Sequence, residues 1–319
     1  MSAAPTVSII IPTHNYGEFI GDALRSVEQQ SLKDWECLII DDASTDDTAG
    51  VVRDFVERDD RFKYIRLDRN VGVSAARNQG FEHVQGRYIQ MVDADDVIAP
   101  RKLETQVAFL EETLDVDVLY SDYIAFAGEP ITSGVGAYRA DERLTGTGDS
   151  IIRRLLRGNV FRLNTVLFRA SVLSSVHGFR SDLRYAEDWD FWLRIASAGH
   201  AFHFLADPEA MSGVRRNPRS LSTDRPAMGR HYLPVLQNLW QHSDLSLRNR
   251  IGILIRYALQ LLNMLILRTG EVLVLPDGRW PFLFYAGVVA LILLPFWPLY
   301  ELMRYVNQFK AKAPKANGA

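Results

Sequence analysis

The first hundred residues alternate between two hydrophobic periods, and that alternation restricts the chain more than any other feature. "VSIII" (7–11), "ECLII" (36–40), "KYIRL" (63–67) and "RYIQMV" (87–92) are short, rich in β-branched residues and bounded by polar turns. Between them lie helical stripes. Phe19, Ile20, Ala23, Leu24 and Val27 form one, and Val51, Val52, Phe55 and Val56 another. Strand, helix, strand, helix at this spacing requires crossover connections, so the expected fold is α/β with a mainly parallel sheet flanked by helices. At 319 residues and 47% hydrophobic content the chain can bury a large core.

In such sheets ligands bind beyond the carboxyl ends of the strands. Polar residues gather at that position three times. Pro12-Thr13-His14-Asn15 follows the first strand, Asp41-Asp42-Ala43-Ser44 the second, and Asp93-Ala94-Asp95-Asp96 the fourth. The last of these places three carboxylates within four positions. They suit a hard divalent cation, because Mg²⁺ is held by one or two carboxylates while substrate phosphates fill its other positions. The ordinary alternative is an acidic turn ahead of the helix expected over 100 to about 114. Asp42 stands at a strand end on the same rim, placed to accept hydrogen bonds from a base or a ribose. Asp46 is equally suited to capping the next helix.

Downstream, "NVGVSAARNQG" (70–80) puts Gly72 in a loop and Arg77 early in a helix, where a guanidinium near the rim could balance phosphate charge. "DVLYSDYIAF" (117–126) reads as one strand, residues 127–150 as a loop. "AEDWDFWLRIASAGH" (186–200) reads as a helix opened by Glu187, Asp188 and Asp190 and stopped near Gly199. A carboxylate there, held among Trp189 and Trp192, can have its pKa raised toward use as a base; acids favouring a helix N-terminus are the bland reading. Arg215, Arg216 and Arg219 form a basic loop that either closes over a diphosphate or is solvated. The formal net charge of −3 gives no global attraction to nucleic acid. The single cysteine, Cys37, lies in an apolar run and reads as a small core residue.

Taken together and in order, "VSIIIPTHN", "LIIDDASTDDT", "NVGVSAARNQG", "QMVDADDVIAP" and "AEDWDFWLRIASAG" resemble glycosyltransferase family 2, the inverting enzymes of GT-A fold that use nucleotide-sugar donors. The resemblance covers residues 7 to about 222. It implies that Pro12, Thr13 and Asn15 lie against the nucleotide, that Asp42 holds the base or ribose, and that Arg77 and Ala94 sit beside it. It implies that Asp93 and Asp95 form the D-x-D pair, with Asp95 the ligand of Mg²⁺ or Mn²⁺ and Asp96 in support. Asp188 then matches the catalytic base, with Glu187 and Trp189 supporting it, and Arg215 and Arg216 belong to a loop over the donor. The family's Gly-Gly-Phe-Asp-Glu stretch reads His177-Gly178-Phe179-Arg180-Ser181-Asp182 here, and its Tyr-Arg-x-His loop reads Val214-Arg215-Arg216-Asn217. The implied partners are a UDP-, GDP- or dTDP-sugar donor and a saccharide or lipid-linked acceptor. A sugar nucleotidyltransferase shares the sheet topology but normally carries a Gly-rich phosphate loop, which "IIPTHNYGEF" is not. A non-catalytic nucleotide-sugar-binding membrane protein is the other alternative.

The catalytic domain is expected over 1–230 and a helical membrane-associating region over 231–319. "RNRIGILIRYALQLLNMLILR" (248–268) has a narrow polar stripe of Asn249, Arg256, Gln260 and Asn263, suited to the membrane interface or to a homo-oligomer core. Residues 281–300 carry no charge and are long enough to cross a bilayer, and Arg304, Lys310, Lys312 and Lys315 form a basic tail. Because nucleotide sugars are cytoplasmic, the expected location is the cytoplasmic face of the inner membrane.

Overall fold

The computed structural model describes residues 4–130, 143–217, 225–241 and 245–269. The apolar segment 281–300, the basic tail and Arg219 lie outside the described residues. The chain divides into two compact units, Met1–Gly252 and Ile253–Ala319.

Strands β1 (Val7–Thr13), β2 (Trp35–Asp41), β3 (Phe62–Arg66) and β4 (Tyr88–Met91) form where the β-branched runs predict them. Helices α1 (Gly17–Glu28), α2 (Thr48–Val56) and α3 (Val73–Glu82) connect them. Next come β5 (Val97–Ile98), α4 (Lys102–Glu112), β6 (Val118–Ser121), β7 (Tyr123–Phe126), β8 (Gly146–Thr147) and α5 (Gly148–Leu155). Then follow β9 (Val166–Arg169), α6 (Glu187–Ser197), β10 (Ala201–Leu205), β11 (Ser212–Arg215), α7 (Arg225–Trp240) and α8 (Leu247–Thr269).

Eight strands make one sheet in the order β3-β2-β1-β4-β9-β6-β10-β8. The β3-β2-β1-β4 half is parallel, while β9 runs antiparallel between β4 and β6. Burial on both faces explains the apolar runs Ile9-Ile10-Ile11 of β1 and Cys37-Leu38-Ile39-Ile40 of β2; every residue of both strands is buried, including Ser8, which donates Oγ to Glu36 Oε1 at 2.5 Å. Alternate side chains serve opposite layers. Ile9 and Ile11 of β1 join Ile20, Leu24, Val52 and Leu103 of α1, α2 and α4 in one core. On the other face α3 approaches β1 so closely that a Cβ on Gly80 would lie 2.6 Å from Ile10 Cγ2. Further along that face Phe168 of β9 packs edge-on against Phe191 of α6 at 6.0 Å.

A second, three-stranded sheet, β5-β11-β7, changes one reading of the sequence. The run 117–126 is not a single strand. It breaks at Asp122, so that β6 pairs with β9 and β10 in the large sheet while β7 pairs with β11 in the small one. Both halves are apolar and the alternation does not register the break. Lys102 of α4, fully buried, holds the turns that lead into β9 and β11: Nζ donates to Gln106 Oε1 at 2.6 Å, the Thr165 carbonyl at 2.9 Å and the Ala210 carbonyl at 3.3 Å. Three acceptors match its three protons, and burial pushes its pKa well below the usual lysine value.

Candidate active site

Register brings the polar strand ends to one rim. Thr13 pairs with Asp41 across β1 and β2, and Met91 pairs with Ile10 across β1 and β4, so Asp93 follows two residues past that pair. Among the described residues, three non-glycine residues have positive φ, and all three border this rim: Asn15 (57°), Ala43 (57°) and Ala186 (60°). Left-handed backbone is unfavourable for alanine, and such strain clusters at functional sites.

The loop after β1 is fastened to the loop after β2. Asn15 Oδ1 accepts from Thr45 N at 2.7 Å, Asn15 N donates to Ser44 Oγ at 2.9 Å, and His14 Nδ1 donates to the Asp42 carbonyl at 2.7 Å. Pro12 lies within buried β1, and Thr13 Oγ1 is buried without a hydrogen-bond partner. The Asp42 carboxylate is almost wholly buried and holds the loop ahead of α3, accepting from Val71 N at 2.6 Å and Gly72 N at 2.8 Å. Gly72, at φ 90°, turns the chain into that helix.

Arg77 of α3 is not an exposed surface arginine. It is 3% exposed and clamps two acidic motifs together, Nη2 donating to Asp93 Oδ1 at 2.9 Å and Nη1 to Glu187 Oε1 at 2.8 Å. Burial alone would weaken its hold on the proton, but the Asp93 and Glu187 carboxylates outweigh this and raise its pKa.

In the acidic loop Ala94 is buried, Asp95 Oδ2 accepts from Asn217 Nδ2 at 3.1 Å, and Asp96 Oδ1 accepts from Arg215 N at 2.8 Å. Burial and the neighbouring Asp93 carboxylate raise the pKa of Asp95; burial, Asp93 and Asp95 hold that of Asp96 well above the carboxylate range. Asn217, which ends the loop that departs from the family's Tyr-Arg-x-His, comes from just past β11 of the small sheet. Arg215 is committed to the scaffold: Nε donates to the Asp95 carbonyl at 3.0 Å, Nη2 to Asp22 Oδ2 at 2.6 Å and Nη1 to the Gly128 carbonyl. Arg216 donates its backbone N–H to the Phe126 carbonyl at 2.8 Å.

Among the described residues no three His, Cys, Asp or Glu side chains form a cage for a cation. The acidic loop nevertheless fits Mg²⁺ or Mn²⁺ in its chemistry. It offers hard oxygen donors, and burial together with the Asp93 charge raises the Asp95 pKa despite the opposing Asn217 hydrogen bond and the Arg215 charge.

Asp188 lies in the first turn of α6, just after the left-handed Ala186. Its Oδ1 accepts from Trp189 N at 2.7 Å and its Oδ2 from Asn159 Nδ2 at 2.6 Å. Burial foremost, then the Glu187 and Asp93 charges, push its pKa up to about 7 against the opposing pull of the Trp189 N–H and Arg77. A carboxylate poised there can take up a proton at neutral pH. Trp189 turns inward, donating Nε1 to the Leu155 carbonyl at 2.8 Å. Asp190 is a structural acid, paired with Arg194 at 2.7 Å. Asn159 escaped the sequence reading because one asparagine after a glycine carries no periodic signal.

Comparison with known proteins decides the family. The model for "Glycosyl transferase family group 2" matches residues 88–305, and that for "Glycosyl transferase family 2" matches residues 8–160. EpsE of Bacillus subtilis is 32% identical over 220 residues, covering 68% of this chain and 75% of EpsE. The chain belongs to glycosyltransferase family 2. It is therefore a glycosyltransferase rather than a sugar nucleotidyltransferase. It is also similar to WfgD of Escherichia coli, a UDP-Glc:α-D-GlcNAc-diphosphoundecaprenol β-1,3-glucosyltransferase, at 29% identity over 59% of this chain and 69% of WfgD. Two solved structures share the GT-A fold. One is Staphylococcus aureus TarS in complex with UDP-GlcNAc, with TM-score 0.63, 22% identity, and coverage of 80% of this chain and 71% of that one. The other is the Pyrobaculum calidifontis mannosyltransferase PcManGT in complex with GDP-Man and Mn²⁺, with TM-score 0.59, 18% identity, and coverage of 98% and 87%.

Proposed function

We propose that this family 2 glycosyltransferase inverts the anomeric centre as it moves a sugar from a nucleoside diphosphate to an acceptor hydroxyl in surface-polysaccharide assembly. The observation that carries this reading is Asp188, a carboxylate with its pKa near 7, tied through Glu187 and Arg77 to the acidic loop. Asp188 takes the proton of the acceptor hydroxyl as its oxygen attacks the anomeric carbon. The bond to the diphosphate breaks on the opposite face, and its electron pair leaves with the nucleotide. Asp95 is the residue assigned to hold Mg²⁺ or Mn²⁺, which when bound supplies charge neutralisation at the leaving diphosphate. Thr13, Asn15 and Asp42 border the space assigned to the nucleoside.

The acceptor assigned is a lipid-linked glycan at the cytoplasmic face of the inner membrane. Support comes from the acceptor named for WfgD and from α8, whose Leu247, Ile251 and Ile255 recur every fourth residue and are exposed beside Arg248. Among the described residues no helix is long and apolar enough to cross a membrane, so an interfacial attachment is the reading for α8 itself.

The test is nucleoside-diphosphate release from a panel of UDP-, GDP- and dTDP-sugars with Mn²⁺ and a polyprenyl-diphosphate acceptor. Asp188→Asn is expected to bind donor normally and to transfer nothing. A fully active variant removes Asp188 from the role.

A further inference from the structure

We propose that Asn159 is the positioning residue for Asp188, orienting its carboxylate and favouring its ionised form through an amide whose direction the fold fixes. This rests on the reading of Asp188 as the base, but its evidence is geometric. A side-chain amide has two orientations, and only one presents a donor. Here Asn159 Oδ1 accepts from Phe161 N at 3.1 Å, which leaves Nδ2 toward Asp188 Oδ2 at 2.6 Å. The other carboxylate oxygen is taken by Trp189 N at 2.7 Å, from the helix itself. Each oxygen therefore meets an N–H, and both contacts favour the carboxylate over the acid.

The segment carrying Asn159 is anchored on both sides. Before it, the Leu155 carbonyl accepts from Trp189 Nε1 at 2.8 Å; after it, Phe161 packs edge-on against Trp192 at 5.7 Å. Both anchors lie on α6, so Asn159 and Asp188 are held by one rigid unit. The charged groups that act on Asp188 are Glu187 on α6, Arg77 from α3 and Asp93 from the acidic loop. Residues 158–161 bring no charge, only this amide.

The titration itself needs no sugar donor, and the transfer assay of Asp188→Asn is run beside it. The full chain is labelled with ¹³Cγ-aspartate, and the Asp188 resonance is assigned by its loss in Asp188→Asn. In Asn159→Ala the Asp188 titration midpoint is expected to rise by roughly one pH unit, the equivalent of one hydrogen bond to a charged group. Asn159→Asp keeps an oxygen for the Phe161 N–H and the same shape but replaces the donor with a carboxylate, so its midpoint should rise further. The midpoint is read from the folded fraction alone, and the isosteric variant decides if the alanine variant folds poorly. A midpoint unmoved in the isosteric variant overturns the proposal. An inactive Asp188→Asn with unmoved midpoints sinks the role of Asn159 alone; an active Asp188→Asn with the expected shifts sinks the base instead.

Discussion

Arg77 Nη1 donates to Glu187 Oε1 at 2.8 Å, joining two residues that stand 110 positions apart. The same guanidinium reaches Asp93 at 2.9 Å, so one buried fork connects the acidic loop after β4 to the start of α6. Only arginine presents two donors in a rigid plane suited to this span. Arg77→Met should leave the largely buried Glu187 without its cation and cost on the order of 3–5 kcal/mol in denaturant unfolding. Arg77→Lys should recover part of that through its charge. A loss in Arg77→Met no greater than that of an ordinary surface substitution would show that the clamp does not hold the two motifs together.

The pH dependence of turnover follows from Asp188. Its folded pKa is raised to about 7, so the base is protonated below that value and available above it. Transfer should rise through pH 7 and level off beyond it. A rate profile flat from pH 5.5 to 8.5 would contradict this, whatever the absolute rate.

The same shift has a consequence for stability with a definite sign. A carboxylate whose folded pKa exceeds its unfolded value favours the folded state when protonated, and that contribution is lost as pH rises through the folded pKa, here about 7. Asp188→Asn stays neutral at every pH. Its melting temperature should match the parent near pH 4 and exceed it at pH 8.5, by a margin equivalent to about 2–4 kcal/mol. Equal melting temperatures at the higher pH would mean that ionised Asp188 is not destabilising.

For Asp95, the measurement is ligand-induced thermal stabilisation. UDP or GDP with Mn²⁺ should raise the melting temperature of the parent by mass action, and EDTA should abolish the metal-dependent part. Asp95→Ala should lose that part while keeping the pH-dependent behaviour assigned to Asp188. An undiminished Mn²⁺ effect in Asp95→Ala would move the metal to another ligand.

Ala186 precedes α6 at φ 60°, where a Cβ is unfavourable by about 1–2 kcal/mol. Ala186→Gly should therefore be neutral or slightly stabilising, whereas Ala186→Val should destabilise by more than about 1 kcal/mol. Unfolding curves of the two variants check the sign. Greater stability of the valine variant would mean that the turn is not left-handed in solution.

Legibility in the sequence divides along physical lines. β1 and β2 were visible because strands buried on both faces carry continuous apolar runs, Ile9-Ile10-Ile11 and Cys37-Leu38-Ile39-Ile40, and α1 because its Ile20, Leu24 and Val27 recur at helical spacing. The acidic loop was visible because mutually repelling carboxylates at a strand end have few uses. The split of residues 117–126 between two sheets was not visible, since both halves satisfy the same pattern. Arg215 looked like a donor-facing cation, yet its guanidinium spans to Asp22 on α1, 193 residues away, a contact no local pattern encodes.

The sequence by itself determined the α/β alternation, the rim that gathers Asp42, Asp93 and Asp95, and the family. Each of these depends on periodicity or on residues close together in the chain. Only the tertiary structure decided that Arg77 is a buried clamp, that Asn159 meets Asp188, and that burial beside Glu187 raises the Asp188 pKa. Those properties come from desolvation and from contacts between distant segments, and neither exists until the chain is folded.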